Sequence, residues 1–151
     1  MKKKSVWFVW LFGFFVLLSA FWSLSRNSEK SLVYCSGRVL LEPALIPNAQ
    51  EIRTLFLVLY DASNNSPMPY GAQKIPLSQN PEAVVARFIL TKDNLQLMNP
   101  NAPVPSILKL KARLDLDGTG GKDKKGDLTG MLSNIKLGTQ DLSLAIDTVV
   151  R

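Results

Sequence analysis

The stretch Ile107-Leu-Lys-Leu-Lys-Ala-Arg-Leu-Asp-Leu-Asp117 decides the fold class. Leu108, Leu110, Ala112, Leu114 and Leu116 fall on one parity. Lys109, Lys111, Arg113, Asp115 and Asp117 fall on the other. Alternation with period two predicts a β-strand with one buried face and one wet face. A helix would scatter the same charges around its whole circumference.

Reading outward from this strand, other segments point the same way. SLVYCSGRVLL (31–41) places Val33, Cys35, Val39 and Leu41 on one face. TLFLVLY (54–60) is apolar on both parities, as expected of a central strand covered on both sides. VVARFIL (84–90) turns Val84, Ala86, Phe88 and Leu90 inward and Arg87 outward. DLSLAID (141–147) aligns Leu142, Leu144 and Ile146. AQKIPL (72–77) and NIKL (134–137) are shorter candidates, and TKDNL (91–95) could make one helical turn. All nine prolines lie between positions 43 and 105, mostly between these runs, where a missing N–H costs little. DGTGGKDKKGD (117–127) reads as a glycine- and lysine-rich loop with glycines at positive φ. Five to seven short strands with regular punctuation predict an all-β, antiparallel sandwich.

The N-terminus has a different character. Lys2, Lys3 and Lys4 precede 21 uncharged residues, 5–25, followed by Arg26. As a helix that run spans about 30 Å, the thickness of a bilayer's hydrocarbon core. Trp7, Trp10 and Trp22 lie toward its ends, where indole favours the membrane interface. A cleaved signal peptide would need a small residue at −3, and the available sites place Leu18 or Phe21 there. The positive-inside rule keeps residues 1–4 in the cytoplasm and exports the remainder. The expected organisation is a basic flank (1–4), one transmembrane helix as signal anchor (5–25), a tether (26–31) and a β-sandwich domain (32–151). In a bacterium that domain is periplasmic and the chain is a single-pass inner-membrane protein.

Charge and composition exclude more than they suggest. The chain carries 18 Lys and Arg against 12 Asp and Glu, a net of +6. Four of the basic residues and none of the acidic ones lie in 1–26, which leaves the exported part at +2. The basicity is therefore largely a topology signal, and no nucleic-acid partner is expected. There is no histidine, which removes Ser-His-Asp and Cys-His catalysis and His-ligated zinc. The single cysteine, Cys35, allows no internal disulfide. No catalytic residue, metal or cofactor is expected, and the chain reads as a non-enzyme.

Candidate contact residues come from two loops. Pro67-Met68-Pro69-Tyr70 pre-orders a backbone that presents an adaptable thioether and a phenol; the competing reading is a rigid turn whose Met68 caps the core. Lys122, Lys124 and Lys125 form a solvated tip suited to an acidic partner or anionic lipid. Cys35 reads as a small buried apolar residue by parity with Val33 and Val39. Its alternative is a free thiol poised for a mixed disulfide. Asp115-Leu-Asp117-Gly faintly suggests a calcium loop, but Gly126 stands where a bidentate Glu is needed. Met68, Met98 and Met131 are unclustered and read as core residues.

The motifs also fall in a recognisable order: SGRVLLEPAL (36–45), LFLVLYDA (55–62), PMPYGAQK (67–74), RFILTKDN (87–94), LMNP (97–100), LKARLDLDG (110–118), GDLTG (126–130) and LSLAIDTVV (142–150). In this order residues 36–150 resemble the C-terminal periplasmic domain of CycH/CcmI-type cytochrome c biogenesis proteins. The resemblance implies an immunoglobulin-like β-sandwich and a place beside haem-ligation complex subunits or apocytochrome c. The family's helical-repeat region, which grips the apocytochrome, has no counterpart here. What carries over is a membrane-anchored docking module. The alternative is an accessory subunit of another inner-membrane complex, such as a respiratory assembly.

Overall fold

The computed structural model describes residues 31–64 and 66–151. The expected anchor (5–25) and nearly all of the tether lie outside the described residues. Residues 31–151 form one compact unit.

Among the described residues nine strands make two sheets: β1 (Val33–Leu41), β2 (Thr54–Asp61), β3 (Gly71–Pro76), β4 (Val84–Thr91), β5 (Gln96–Leu97), β6 (Ile107–Asp115), β7 (Leu128–Lys136), β8 (Thr139–Ile146) and β9 (Thr148–Val149). A 3-10 helix, Pro43–Ala49, links β1 to β2. The sheets run β4-β1-β8 and β5-β3-β2-β6-β7-β9. The domain is therefore all-β, as the alternation predicts. One pairing departs from the antiparallel expectation: β1 and β8 run parallel. They lie at opposite ends of the domain's chain, so no hairpin dictates their relative direction.

β2 and β6 form the central ladder, regular from Thr54↔Asp115 to Asp61↔Leu108. Its inner pairs are Leu55↔Leu114, Leu57↔Ala112 and Leu59↔Leu110, all fully buried. They join Val39, Leu41, Phe88, Leu90, Leu144 and Ile146 of the other sheet in one core. Each such leucine is worth about 1.5–3 kcal/mol in burial. The outer pairs are Phe56↔Arg113, Val58↔Lys111 and Tyr60↔Lys109. Phe56 also pairs with Lys74 of β3. Two cations thus lie over its ring, Lys74 Nζ at 5.7 Å and Arg113 Cζ at 5.2 Å from the centroid. Lys109 Nζ stands 4.9 Å from the Tyr60 centroid. This basic cover, together with loop 117–127, is why β2 is apolar on both parities.

Several local expectations need correction. The second face of β6 is not wet at its C-terminal end: Arg113 and Asp115 are buried beneath the loop. Leu116 lies beyond β6 and is exposed. A bulge between Val33 and Cys35 turns both Tyr34 and Cys35 inward and leaves Val33 half-buried. A second irregularity, at Val39/Leu40, pairs Val84 with the outward Leu40, so Val84 is exposed rather than buried. Residues 91–95 do make one turn, closed by Leu95 N–H donating to the Thr91 carbonyl.

The two sheets meet at the β7–β8 corner. A Cβ on Gly130 would lie 1.8 Å from the Ala145 carbonyl oxygen, so only glycine lets the two backbones approach there. Asp147 N–H donates to the Thr129 carbonyl at the same corner.

Candidate functional site

Loop 117–127 is held down by buried charge. Arg113 Nη2 sits 2.7 Å from Asp115 Oδ2. Its Nη1 donates to the Gly121 carbonyl at 2.7 Å and to Asp123 Oδ1 at 3.2 Å. Its Nε faces Asp127 Oδ2 at 3.9 Å and makes no hydrogen bond. Asp127 in turn accepts from the Leu116 and Lys124 backbone N–H groups, tying the two ends of the loop together. Gly118, Gly120, Gly121 and Gly126 take positive φ, as their spacing predicts. Gly120 rides over the Phe56 ring. Lys111 reaches Asp123 from the strand below. Burial alone raises the Asp123 carboxyl, but Lys111 and Arg113 outweigh it and leave the group below its usual range.

Lys122, Lys124 and Lys125 are exposed at the tip. They are not equivalent: Lys124 pairs with Asp117 and bonds Thr119 Oγ1. The hydrogen bond to Asp117 raises the Lys124 ammonium pKa and, from the other side, lowers that of Asp117. Asp115, the first position of the faint calcium register, is committed to Arg113 and to the Gly118 N–H.

The Pro67–Tyr70 segment divides. Pro67 and Met68 are exposed, Pro69 is half-buried and Tyr70 is buried. Met68 therefore does not cap the core; Tyr70 does. Its ring meets Tyr34 edge-on at 5.6 Å, and the two hydroxyls lie 3.3 Å apart. As a contact residue Tyr70 is withdrawn, because its surface is spent on the core. Met98 and Met131 are also exposed, against the expectation for both. Cys35 is fully buried in β1, and burial pushes its thiol pKa up to about 11.

A further surface was missed in the sequence. On the outer face of the three-stranded sheet, Arg38 of β1 lies directly opposite Arg87 of β4. Both are exposed and neither forms an ion pair among the described residues. Arg38 Nε donates to Ser143 Oγ at 3.1 Å. The two guanidiniums line a groove of about 430 Å³ with Ile89 and Asp141 on its walls. Gly37 forms the floor, where a Cβ would meet the Leu142 carbonyl at 2.2 Å. Ile89 is 58 % exposed and Val84 50 %. Outward parity is legible for Arg38, Arg87 and Ile89 each alone, whereas Val84 falls on the inward parity and is turned out by the Val39/Leu40 irregularity. Their juxtaposition follows from register, which no local pattern carries.

What these surfaces can do chemically is bind: opposed guanidiniums suit carboxylate or phosphate, and the exposed aliphatics suit an apolar neighbour. Among the described residues, no group of three His, Cys, Asp or Glu is placed to hold a metal ion. No family model, no curated protein and no solved structure matches this chain.

Proposed function

We propose that the chain is a non-catalytic, membrane-tethered docking module, exported to the bacterial periplasm, that serves c-type cytochrome maturation beside the haem-ligation complex. The observation that carries this reading is the outer face of β4-β1-β8. Exposed Ile89 and Val84 flank two opposed arginines that have no acidic partner among the described residues. Like charges directly opposite on a sheet repel, and exposed aliphatics beside them gain from cover. A partner protein supplies both.

The order of motifs across 36–150 points to the complex. An immunoglobulin-like arrangement fits the pairings: β1–β4, β2–β6, β6–β7 and β2–β3 correspond to B–E, C–F, F–G and C–C′ of that sandwich. The position beside B, occupied there by A, falls to β8, which accounts for the parallel pair.

The test is capture of the full-length chain from membranes through a C-terminal tag, alongside deletion of its gene. Haem-ligation subunits should co-purify, and holo-cytochrome c should fall in the deletion strain. Normal holo-cytochrome c after deletion overturns the assignment to this pathway.

A further inference from the structure

β4 ends its sheet, and among the described residues no other strand lies beyond it. Lys92 N–H donates to the Leu32 carbonyl, so the even-numbered backbone groups at this end turn toward β1. The odd-numbered groups turn outward. Two of them are already satisfied by a side chain: Thr91 N–H donates to Asn94 Oδ1 at 2.8 Å, and Asn94 Nδ2 donates to the Ile89 carbonyl at 2.7 Å. The Asn94 carboxamide thus imitates the first residue of an added strand. At the other end, the irregularity at Val39/Leu40 breaks the ladder. Such devices keep an edge from pairing indiscriminately. Between them the N–H and C=O of Arg87 have no partner among the described residues.

The same alternation makes Arg38↔Arg87 a non-hydrogen-bonded pair, the kind in which side chains stand closest. Two guanidiniums beside one open backbone window define the complement. We propose that the β4 edge takes up a short, extended, acidic segment of a partner protein as an added strand. A carboxylate of that segment meets Arg87 and Arg38, and an apolar residue two positions along covers Ile89. Main-chain bonds to Arg87 supply attachment, and the arginine pair selects the charge. Asp141, the acidic group on the groove wall, ion-pairs with neither arginine and sets a limit on how much negative charge the site accepts. This deepens the docking reading by naming the partner's chemistry, and it does not depend on the cytochrome pathway.

The experiment uses the full-length chain in a non-ionic detergent buffer and a fluorescein-labelled nonapeptide, Thr-Glu-Thr-Val-Thr-Glu-Thr-Val-Thr, in which Glu and Val stand two positions apart on one face of the extended strand. Anisotropy should report saturable binding. Binding should weaken on the order of tenfold or more when Gln replaces Glu, or in Arg38→Ser/Arg87→Ser, the factor expected for losing a charge-assisted pair. It should weaken similarly when alternate peptide amides are N-methylated. Thermal unfolding of the variant should match the parent, because both arginines are exposed. Equal binding of the N-methylated peptide overturns strand addition. Unchanged binding in the double variant, or no binding of the Glu peptide at all, overturns the proposal outright. So does arginine-dependent binding to phosphatidylglycerol vesicles without binding to the peptide, which makes the face a lipid site. Peptide binding alongside normal holo-cytochrome c in the deletion strain sinks the pathway assignment alone.

Discussion

Arg113 and Asp115 stand two residues apart on the outer face of β6 and form a 2.7 Å ion pair with both side chains almost wholly buried. Neither could be buried without the loop that folds back over them. The pair is therefore the point at which loop 117–127 and the six-stranded sheet become one structure.

Removing the guanidinium leaves Asp115 and Asp127 buried without their counter-charge. A buried pair broken on one side costs about 3–5 kcal/mol. Arg113→Met should lose stability in that range in urea denaturation, and trypsin should then cut at Lys122, Lys124 or Lys125 in the released loop. Arg113→Met combined with Asp115→Leu should cost less than the two single changes summed, since the two groups share one interaction. Additive losses would show that the pair is not coupled.

The acid response of the loop follows from Asp123. Its carboxyl pKa is held below the ordinary 3.8 by Lys111 and Arg113, against the upward push of burial. A depressed folded-state pKa gives stability that is fully present above the unfolded value and lost as pH falls through the folded one. Asp117 is depressed in the same direction by Lys124, but it is exposed, and such surface pairs add little. The stability difference between the parent and Asp123→Asn should be constant from about pH 5 to 8. It should shrink as pH falls below about 4, where the unfolded carboxylates begin to protonate. A difference that stays undiminished down to about pH 2 would mean that Asp123 acts through packing and not through its charge.

β1, β4, β6 and β8 are legible because each is short and largely alternating, and β2 because its run is apolar throughout; of β7 only 134–137 stands out, and the two-residue β5 and β9 carry no pattern of their own. Leu55, Leu57 and Leu59 could be matched to a covered strand, but the cover on their outer neighbours could not be foreseen. Phe56 is shielded by Lys74, Arg113 and a loop remote from it in the chain. The bulges at Val33/Cys35 and Val39/Leu40 shift parity by one residue, and that shift buries Tyr34 and exposes Val84. The loop candidates were visible as composition. The Arg38–Arg87 groove was not, because β1 and β4 are joined by register and not by adjacency. Proline spacing identified the Pro67–Tyr70 segment but could not say which of its two large side chains turns inward.

Cys35 offers a test of the first strand. Its thiol is fully buried, with a pKa near 11, so at pH 8 about one molecule in a thousand carries thiolate. A bulky maleimide should leave the native protein essentially unlabelled and react promptly in denaturing urea. Fast native labelling would place Cys35 at the surface and revive a mixed disulfide with a partner.

Met68 and Tyr70 separate contact from core within one short segment. Met68 is 66 % exposed, so its truncation removes little from the folded domain. Met68→Ala should change unfolding stability by no more than about 0.5 kcal/mol, the usual range for surface positions. Tyr70 is 8 % exposed and stacks edge-on against Tyr34, so Tyr70→Ala opens a cavity and strands the Tyr34 hydroxyl. A loss of about 3 kcal/mol is expected, as for other large aromatic truncations. If Met68→Ala proves as costly as Tyr70→Ala, the methionine is structural and the segment has no free surface to offer. If it is silent in folding yet lowers partner capture, the segment joins the β4 face as a place where the domain is gripped.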